Sequence, residues 1–213
     1  LAKAAGVPVW FEPVSRTKAL AGMALLGSLT FASPNEEEAL EMACAADARR
    51  GPALRRLADV ATARSSPVPL DILARAAEIL VLRGLKCAVI TLGPRGVLWA
   101  HRAGSAREVE VRRLVALPVP ATEVASVSGA GDALVAGTLL RLQAGDGVAE
   151  ALAFGQAAAR QVVESPRNVP EAFDTARLTA GARAALASQA LIRPVPLPPA
   201  PLSASPSSDK APP

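Results

Sequence analysis

The chain contains the stretch Ser126-Val127-Ser128-Gly129-Ala130-Gly131-Asp132 directly before an apolar run, residues 133–140, that predicts a buried helix. Small residues in a turn at a helix N-terminus leave backbone N–H groups unpaired. The helix dipole adds partial positive charge at the same place. Such a helix start is a ready binding site for an anion. The stretch therefore indicates a turn–helix unit suited to holding a phosphate group.

Asp132 follows the last glycine of this stretch and admits two interpretations. A carboxylate opposes anion binding unless it has another task, such as accepting a proton from a hydroxyl while the turn holds a phosphoryl group. Alternatively, Gly129 and Gly131 form a tight turn and Asp132 caps the helix. The residues of this segment alone leave both interpretations open.

Predicted strands and helices alternate along the rest of the chain. Apolar runs between turn signals predict strands, and apolar residues at helical spacing predict helices. Strands are expected at residues 7–12, 28–32, 87–92, 97–100 and 109–119. Helices are expected at residues 16–25, 36–48, 71–83, 148–163 and 175–190, besides the one after Asp132. This alternation implies an α/β sandwich with a mainly parallel sheet.

Polar segments follow three of the predicted strands, at residues 33–38, 91–97 and 126–132. In open α/β sheets, ligands bind beyond the carboxyl ends of the strands, so these segments are expected at one edge. Each segment also has a purely structural interpretation. Carboxylates at residues 36–38 suit the positive end of a helix. The Gly-x-x-Gly pattern at residues 93–96 is equally typical of a hairpin turn.

Four segments together resemble the PfkB/ribokinase family of sugar and nucleoside kinases. The stretch at residues 126–132 is similar to the signature Asp-Thr-x-Gly-Ala-Gly-Asp, although Ser126 and Val127 replace its first two residues. Residues 33–38, Ser-Pro-Asn-Glu-Glu-Glu, resemble the family's Asn-x-x-Glu element. Residues 91–97, Thr-Leu-Gly-Pro-Arg-Gly-Val, resemble its nucleotide turn, and residues 7–15 resemble its central strand and exit loop. The four occur in the family's order.

The resemblance implies a ribokinase-like three-layer α/β sandwich. It covers residues 1–192 as the C-terminal part of a kinase domain, truncated at the N-terminus, because the family's Gly-Gly motif, most sugar-binding residues and its β-sheet lid are not visible. Residues 193–213 are rich in Pro, Ser and Ala and predict a disordered tail.

The resemblance also assigns roles to the residues around the first stretch. Asp132 would be the catalytic base that accepts the proton of a primary hydroxyl. The N–H groups around Gly129, Ala130 and Gly131 would form an anion hole for the transferring phosphoryl group. A monovalent cation is left open as a cofactor, because the leading Asp that helps hold it in many family members is Ser126 here.

ATP and Mg²⁺ are the other cofactors that the resemblance implies. Asn35 and Glu38 would orient magnesium-bound water and the nucleotide phosphates, with Glu38 reaching the metal through water. Four residues would contact the nucleotide: Thr91, Gly93, Gly96 and Asn168.

Within the family, residues 10–15 followed by Lys18-Ala19 look most like pseudouridine kinases. The expected reaction is ATP-dependent phosphorylation of pseudouridine to pseudouridine 5'-phosphate. Another sugar kinase activity, ribokinase-like or fructokinase-like, is an alternative. A non-catalytic, nucleotide-binding derivative of the kinase fold is a second alternative, favoured by the replaced signature residues and the missing lid.

Composition and charge exclude several other classes of function. The net charge is +4, but the basic residues are scattered in pairs and do not interleave with aromatics, which argues against nucleic-acid binding. Cys44 and Cys87 have no metal-ligand spacing and suit a reducing compartment. The uncharged segment around residues 19–35 contains glycines and a proline and is not expected to span a membrane. A cytoplasmic enzyme with a small-molecule substrate is therefore expected, and a homodimer is an assembly that the sequence leaves open.

Overall fold

The computed structural model describes residues 2, 4–63, 67–104, 108–167 and 169–197. Asn168 and residues 198–213 of the expected tail lie outside these ranges. None of the helices within the described ranges combines the length and apolarity needed to cross a bilayer.

The described residues form seven α-helices, and a 3-10 segment, Gly22–Ser28, extends the first of them. The helices are α1 (Arg16–Ala21), α2 (Glu36–Ala46), α3 (Gly51–Thr62), α4 (Leu70–Leu82), α5 (Ala130–Gln143), α6 (Val148–Glu164) and α7 (Thr175–Ala187). All were expected except α3, whose buried residues Ala53, Leu54 and Ala58 alternate with arginines and other polar residues. α7 ends three residues earlier than expected, and the chain then enters a strand.

Six strands form one sheet whose spatial order is the order of the chain. They are β1 (Trp10–Phe11), β2 (Phe31–Ala32), β3 (Cys87–Thr91), β4 (Val97–Arg102), β5 (Val109–Leu114) and β6 (Ala190–Leu191). β1, β2 and β3 pair in parallel, as expected, and β3 to β6 pair antiparallel. The sheet is therefore mixed, because the short connections after β3 and β4 can join only antiparallel neighbours, whereas parallel strands need long crossovers.

Helices cover both faces of this sheet, which confirms the α/β three-layer arrangement. On one face, Ala88, Ile90 and Leu98 pack against the buried sides of α2 and α4. On the opposite face, Val89, Val97, Trp99 and Leu114 pack against residues of α5, α6 and α7. The second group includes Leu134, Leu152 and Ala185, which are all nearly inaccessible to solvent. The fold thus fixes α5 against the sheet and sets where its N-terminal turn stands.

The first residues of the expected tail pack against the body of the protein. Arg75 donates hydrogen bonds to the carbonyl oxygens of Pro194 and Val195, at 3.4 and 2.6 Å. The N–H of Val195 donates to the carbonyl oxygen of Asp71 at 3.0 Å. Residues 193–197 of the tail expected at residues 193–213 therefore pack against the protein past β6, which differs from the disorder expected for them.

Helices α5 and α6 approach closely through two glycines. An added Cβ at Gly155 would lie 2.4 Å from the carbonyl oxygen of Leu134 and 2.4 Å from Oγ1 of Thr138. An added Cβ at Gly137 would lie 3.0 Å from Cα of Gly155. The buried Thr138 hydroxyl donates to the Leu134 carbonyl at 2.7 Å. The interface between α5 and α6 therefore has no room for a methyl group at Gly155.

We predict that Gly155→Ala lowers the free energy of unfolding by about 1–3 kcal/mol, because the new methyl group forces α5 and α6 apart. The matched control is Gly27→Ala, where an added Cβ meets nothing within 4 Å. Urea denaturation of both variants measures the difference. Equal stability of the two variants would contradict the close packing of α5 on α6.

Candidate active site

The N-terminal turn of α5 begins in a backbone conformation that only glycine, which has no side chain, adopts easily. Gly129 is the N-cap residue, with a left-handed φ of 81°, and no side chain caps the helix. The N–H of Ala133 donates to the Gly129 carbonyl at 2.9 Å, which starts the helical ladder. Within the described residues, the N–H groups of Gly131 and Asp132 have no hydrogen-bond acceptor. The turn thus presents free donors at the positive end of the helix dipole.

The carboxylate of Asp132 projects from the third residue of α5 and is exposed. It makes no hydrogen bond or ion pair within the described part of the chain. Since Gly129 occupies the N-cap position, Asp132 is not the helix cap. Its location in the first turn is favourable for a negative charge because of the helix dipole. An unpartnered carboxylate beside free N–H donors is able to take a proton from a group held by those donors.

Glu12 brings a second carboxylate to this turn. It directly follows β1, and its Oε1 lies 3.3 Å from the position that a Cβ on Gly131 would occupy. Burial raises the pKa of Glu12, and the nearby negative charges of Asp132 and Glu38 raise it further. The carboxylates of Asp132 on α5 and Glu38 on α2 therefore both act electrostatically on Glu12.

Sequence reasoning did not assign a role to Glu12. The available signal was its place as the last residue of the strand predicted at residues 7–12, since the end of a strand is where α/β sheets present ligand-binding residues.

Asn35 and Glu38 form a reciprocal capping box at the start of α2. Oδ1 of Asn35 accepts from the N–H of Glu38 at 3.0 Å, and Oε2 of Glu38 accepts from the N–H of Asn35 at 3.0 Å. Glu38 is 5% exposed, and Asn35 is exposed. Both side chains thus stabilise the helix start, as capping boxes do. The other carboxylate oxygen of Glu38, Oε1, takes no part in the two capping-box hydrogen bonds.

The turn at residues 91–96 lies next to the capping box. Thr91, the last residue of β3, forms a bridge with Asn35, and its N–H donates to the Pro34 carbonyl at 2.9 Å. Arg95 in the same turn pairs with Glu36 at 2.7 Å and donates to the Val68 carbonyl at 2.8 Å. Arg95 is therefore held by the protein itself, and its pairing ties the turn to the first turn of α2.

The two glycines of this turn meet different surroundings. Gly96 has a φ of 99°, and an added Cβ would lie 2.1 Å from the Leu114 carbonyl oxygen, so it serves the close packing of the β3–β4 hairpin on β5. Gly93 has a φ of 55°, is exposed, and an added Cβ would meet nothing within 4 Å. The open side of the turn is therefore at Gly93.

The structure brings together some of the expected residues. Asp132 and Glu38 both lie near enough to Glu12 to raise its pKa, and Asn35 adjoins Thr91. Asn168 lies outside the described residues. Across the described ranges, no group of three or more His, Cys, Asp or Glu side chains is arranged to hold a metal ion.

Comparison with known proteins gives a family match for most of the chain. The model of the pfkB family carbohydrate kinases matches residues 1–170. The chain is 29% identical to a pseudouridine kinase of Arabidopsis thaliana over 210 residues, covering 81% of this chain and 54% of that protein. It thus spans about half the length of this curated relative.

This chain also covers about half the length of solved structures that have a similar fold. A carbohydrate kinase from Agrobacterium tumefaciens matches with a TM-score of 0.58 and 25% identity, over 90% of this chain and 50% of that one. Phosphofructokinase-2 from Escherichia coli, solved with substrates and products, matches with a TM-score of 0.61 and 20% identity, over 86% and 49%. Arabidopsis thaliana ribokinase, solved with ribose and ATP, matches with a TM-score of 0.58 and 22% identity, over 85% and 49%.

These structures support the ribokinase-like fold, and the family match covers well over half of the chain. This chain belongs to the PfkB family of carbohydrate kinases.

Proposed function

We propose that this chain carries the phosphoryl-transfer site of an ATP-dependent kinase that acts on a primary hydroxyl of a nucleoside or sugar. Pseudouridine, converted to pseudouridine 5'-phosphate, is the first substrate to test, because the similar Arabidopsis protein is a pseudouridine kinase. The observation that carries the proposal is the unpartnered carboxylate of Asp132 beside the free N–H groups of the same turn. Base and anion-binding groups stand together there.

Asp132 would accept the proton of the attacking hydroxyl as the new O–P bond forms and the bond to ADP breaks. The carboxylate is exposed and makes no competing hydrogen bond in the described part of the chain, so a hydroxyl is able to reach it.

The start of α5 would hold the transferring phosphoryl group. The N–H of Gly131 is free within the described residues, and the N–H of Ala130 makes only a long contact of 3.4 Å to the Val127 carbonyl. Donors fixed in place before the reaction stabilise charge on phosphate oxygens at little reorganisation cost. Gly129 contributes by its left-handed φ, which turns these N–H groups outward.

The carboxylates near Asp132 fit a hydrated magnesium ion. Burial and the nearby negative charges raise the pKa of Glu12, and a divalent cation nearby would relieve the repulsion. Mg²⁺ commonly keeps several waters and uses one or two carboxylates together with substrate phosphates. When bound, the ion would neutralise charge on the nucleotide phosphates. Glu12 and Glu38 would orient its waters, and Asn35 would keep Glu38 in place through the capping box.

The nucleotide would lie along the open side of the turn at residues 91–96. A nucleotide phosphate would have room next to Gly93, since an added Cβ there meets nothing within 4 Å. Thr91 connects this turn to Asn35. Gly96 supports the turn from the β5 side, and Asn168 remains a proposed nucleotide contact.

One observation favours a second candidate function, nucleotide binding without transfer. The chain spans about half the length of the kinases it matches, so residues that those proteins use for the acceptor can lie in the unmatched half. Magnesium-dependent turnover separates the two candidates, and a panel of pseudouridine, ribose and fructose separates pseudouridine kinase from other sugar kinases.

We predict that Asp132→Asn lowers phosphoryl transfer by about 10²–10⁴-fold, the usual contribution of a general base, while ADP binding is retained. Asp59→Asn on α3, in the opposite helical layer, is the matched control. The readout is formation of the 5'-monophosphate from ATP and pseudouridine with Mg²⁺. Turnover by Asp132→Asn at the rate of the control would show that another group accepts the proton.

We predict that Gly131→Val weakens binding of a non-hydrolysable ATP analogue by about tenfold or more in the presence of Mg²⁺, because the new side chain covers the free N–H donors that would hold the terminal phosphate. Ala136→Val, at an exposed position of the same helix, is the control. Calorimetric titration measures both affinities, and thermal unfolding checks that both variants fold. Equal affinity of the two variants for the analogue would argue against an anion site at the start of α5.

A third prediction concerns the pH dependence of stability at Glu12. Its pKa is raised in the folded protein, so ionisation costs stability as pH rises from the unfolded value of about 4.3 through the folded value. Glu12→Gln removes this ionisation. We therefore expect the variant to gain stability, relative to the original protein, on going from pH 4 to pH 7. Urea denaturation at both pH values measures the gain, with the exposed Glu123→Gln as control. A gain that is the same for both variants would contradict the carboxylate cluster.

A further inference from the structure

Residues 193–199 read Arg-Pro-Val-Pro-Leu-Pro-Pro, and the proposed function uses none of them. Every residue of this run except the last is followed by a proline or is itself a proline, and the last is a proline too. Proline fixes φ at about −65°, and a residue before proline is restricted to extended backbone. Both effects favour the polyproline II conformation, an extended helix with about three residues per turn. Residues 192–197 are described, and residues 198 and 199 lie outside the described ranges.

The burial of residues 192–197 has a period of three residues. These residues belong to no helix or strand. Arg193 and Pro196 are exposed, whereas the other residues of the segment are partly buried. Ile192 and Val195 pack against the core that α2 and α4 share with the sheet. Because polyproline II has the same period, Arg193 and Pro196 stand on one exposed ridge, about 9 Å apart at a rise of about 3.1 Å per residue.

Helix α4 holds this segment through backbone groups of the segment. The Arg75 guanidinium donates to the carbonyl oxygens of Pro194 and Val195, at 3.4 and 2.6 Å. The N–H of Val195 donates to the Asp71 carbonyl at 3.0 Å. A polyproline II segment makes no internal hydrogen bonds, so its carbonyl groups accept from whichever surface it lies against. A partner surface with its own donors is therefore able to replace α4.

Arg193 supplies a free cation on the exposed ridge. Its guanidinium makes no hydrogen bond or ion pair with the described residues. In the sequence, Arg193 is followed by Pro196 and Pro199 at intervals of three residues. Segments with two prolines at this spacing dock in the aromatic-lined grooves of SH3 domains and similar modules. An arginine beside the prolines adds a bidentate, charge-assisted contact to a carboxylate at the edge of such a groove.

We propose that residues 193–199 are a docking segment for a partner protein with an aromatic-lined groove and an acidic rim, of the SH3 kind. Pro196 and Pro199 would fill the groove, and Arg193 would pair with the rim. A three-sided helix that lies in a groove presents two of its ridges to the walls. Val195, on the second ridge, is packed against the core, so the partner competes with α4 for the segment. The segment has no part in the chemistry proposed at Asp132.

Titration of the whole chain into a purified SH3 domain that takes Arg-x-x-Pro-x-x-Pro ligands tests this segment. We expect saturable binding by calorimetry, and NMR shifts at the aromatic groove of the isotope-labelled domain. Arg193→Glu places a carboxylate against the acidic rim and should weaken binding by about tenfold or more. Pro196→Ala should weaken binding by about tenfold, because the ridge loses a ring that fills the groove and a backbone restricted before binding.

Pro118→Ala is the matched control for the proline variant. The run Leu117-Pro118-Val119-Pro120 has the same alternation of prolines, but no arginine precedes either proline by three residues. Pro118 is exposed, as Pro196 is. We expect Pro118→Ala to bind the SH3 domain with the affinity of the original chain.

A second pair of variants tests the competition with α4. Arg75→Ala removes the donors to the carbonyl groups of Pro194 and Val195, so it should raise the affinity for the SH3 domain by about three- to tenfold. Glu78→Ala removes the ion pair of Arg75 with the same helix and leaves those donors in place, so it is the control. Thermal unfolding confirms that each variant is folded.

Three results would overturn the proposal. The first is the absence of saturable binding by both the original chain and Arg75→Ala. The second is binding that Arg193→Glu and Pro196→Ala leave unchanged, or that Pro118→Ala weakens as much as they do. The third is equal affinity of Arg75→Ala and Glu78→Ala, which would show that α4 does not compete with the partner for the segment.

Discussion

The glycine contact between α5 and α6 is the constraint on which the position of the candidate active site depends. Gly137 and Gly155 let the two helix backbones approach, and a methyl group at Gly155 would strike the Leu134 carbonyl oxygen. This contact fixes α5 along its axis, and it fixes α6 beside it. A shift of α5 along α6 would move its N-terminal turn away from Glu12, whose Oε1 lies 3.3 Å from the Cβ position of Gly131.

Electrostatics determine what the α5 turn is able to do. Carboxylates from β1, α2 and α5 lie near one another, and burial with mutual repulsion raises the pKa of Glu12. Such an arrangement is unfavourable for stability alone, because like charges near one another oppose ionisation. It is favourable where a cation and a phosphate chain are to be held. In the proposed function, the helix dipole would attract an incoming phosphate to the turn that carries Asp132, so the proposed base and the proposed anion site share one turn.

Sequence reasoning recovered what local patterns determine. The apolar runs located the long helices, the polar segments after strands located the turns, and the capping residue of α2 was among those expected. The direction of the last three strands could not be read from periodicity, because it follows from connection length and pairing partners. β6 has two residues and exists through its pairing with β5, so no local signal announces it. Glu12 was missed for a similar reason: its importance comes from Asp132 and Glu38, which are distant in sequence.

The first turns of α2, α5 and α6 differ in whether side chains satisfy their free N–H groups. α2 begins with a complete capping box, so its first N–H groups and the side chains of Asn35 and Glu38 satisfy one another. α5 and α6 begin at glycines without side-chain caps, and each has an acidic residue at its third position. Adding a capping side chain at either glycine would stabilise a helix start by about 1 kcal/mol in an ordinary setting. Gly147 has an ordinary φ of −67°, and only the end of the flexible Glu150 side chain lies in the way, so a capping residue fits there. Gly129 has a left-handed φ of 81°, which opposes a capping Ser or Thr. The donors that remain free at the start of α5 are therefore fixed by the backbone conformation, and in the proposed function a phosphate group would complete them.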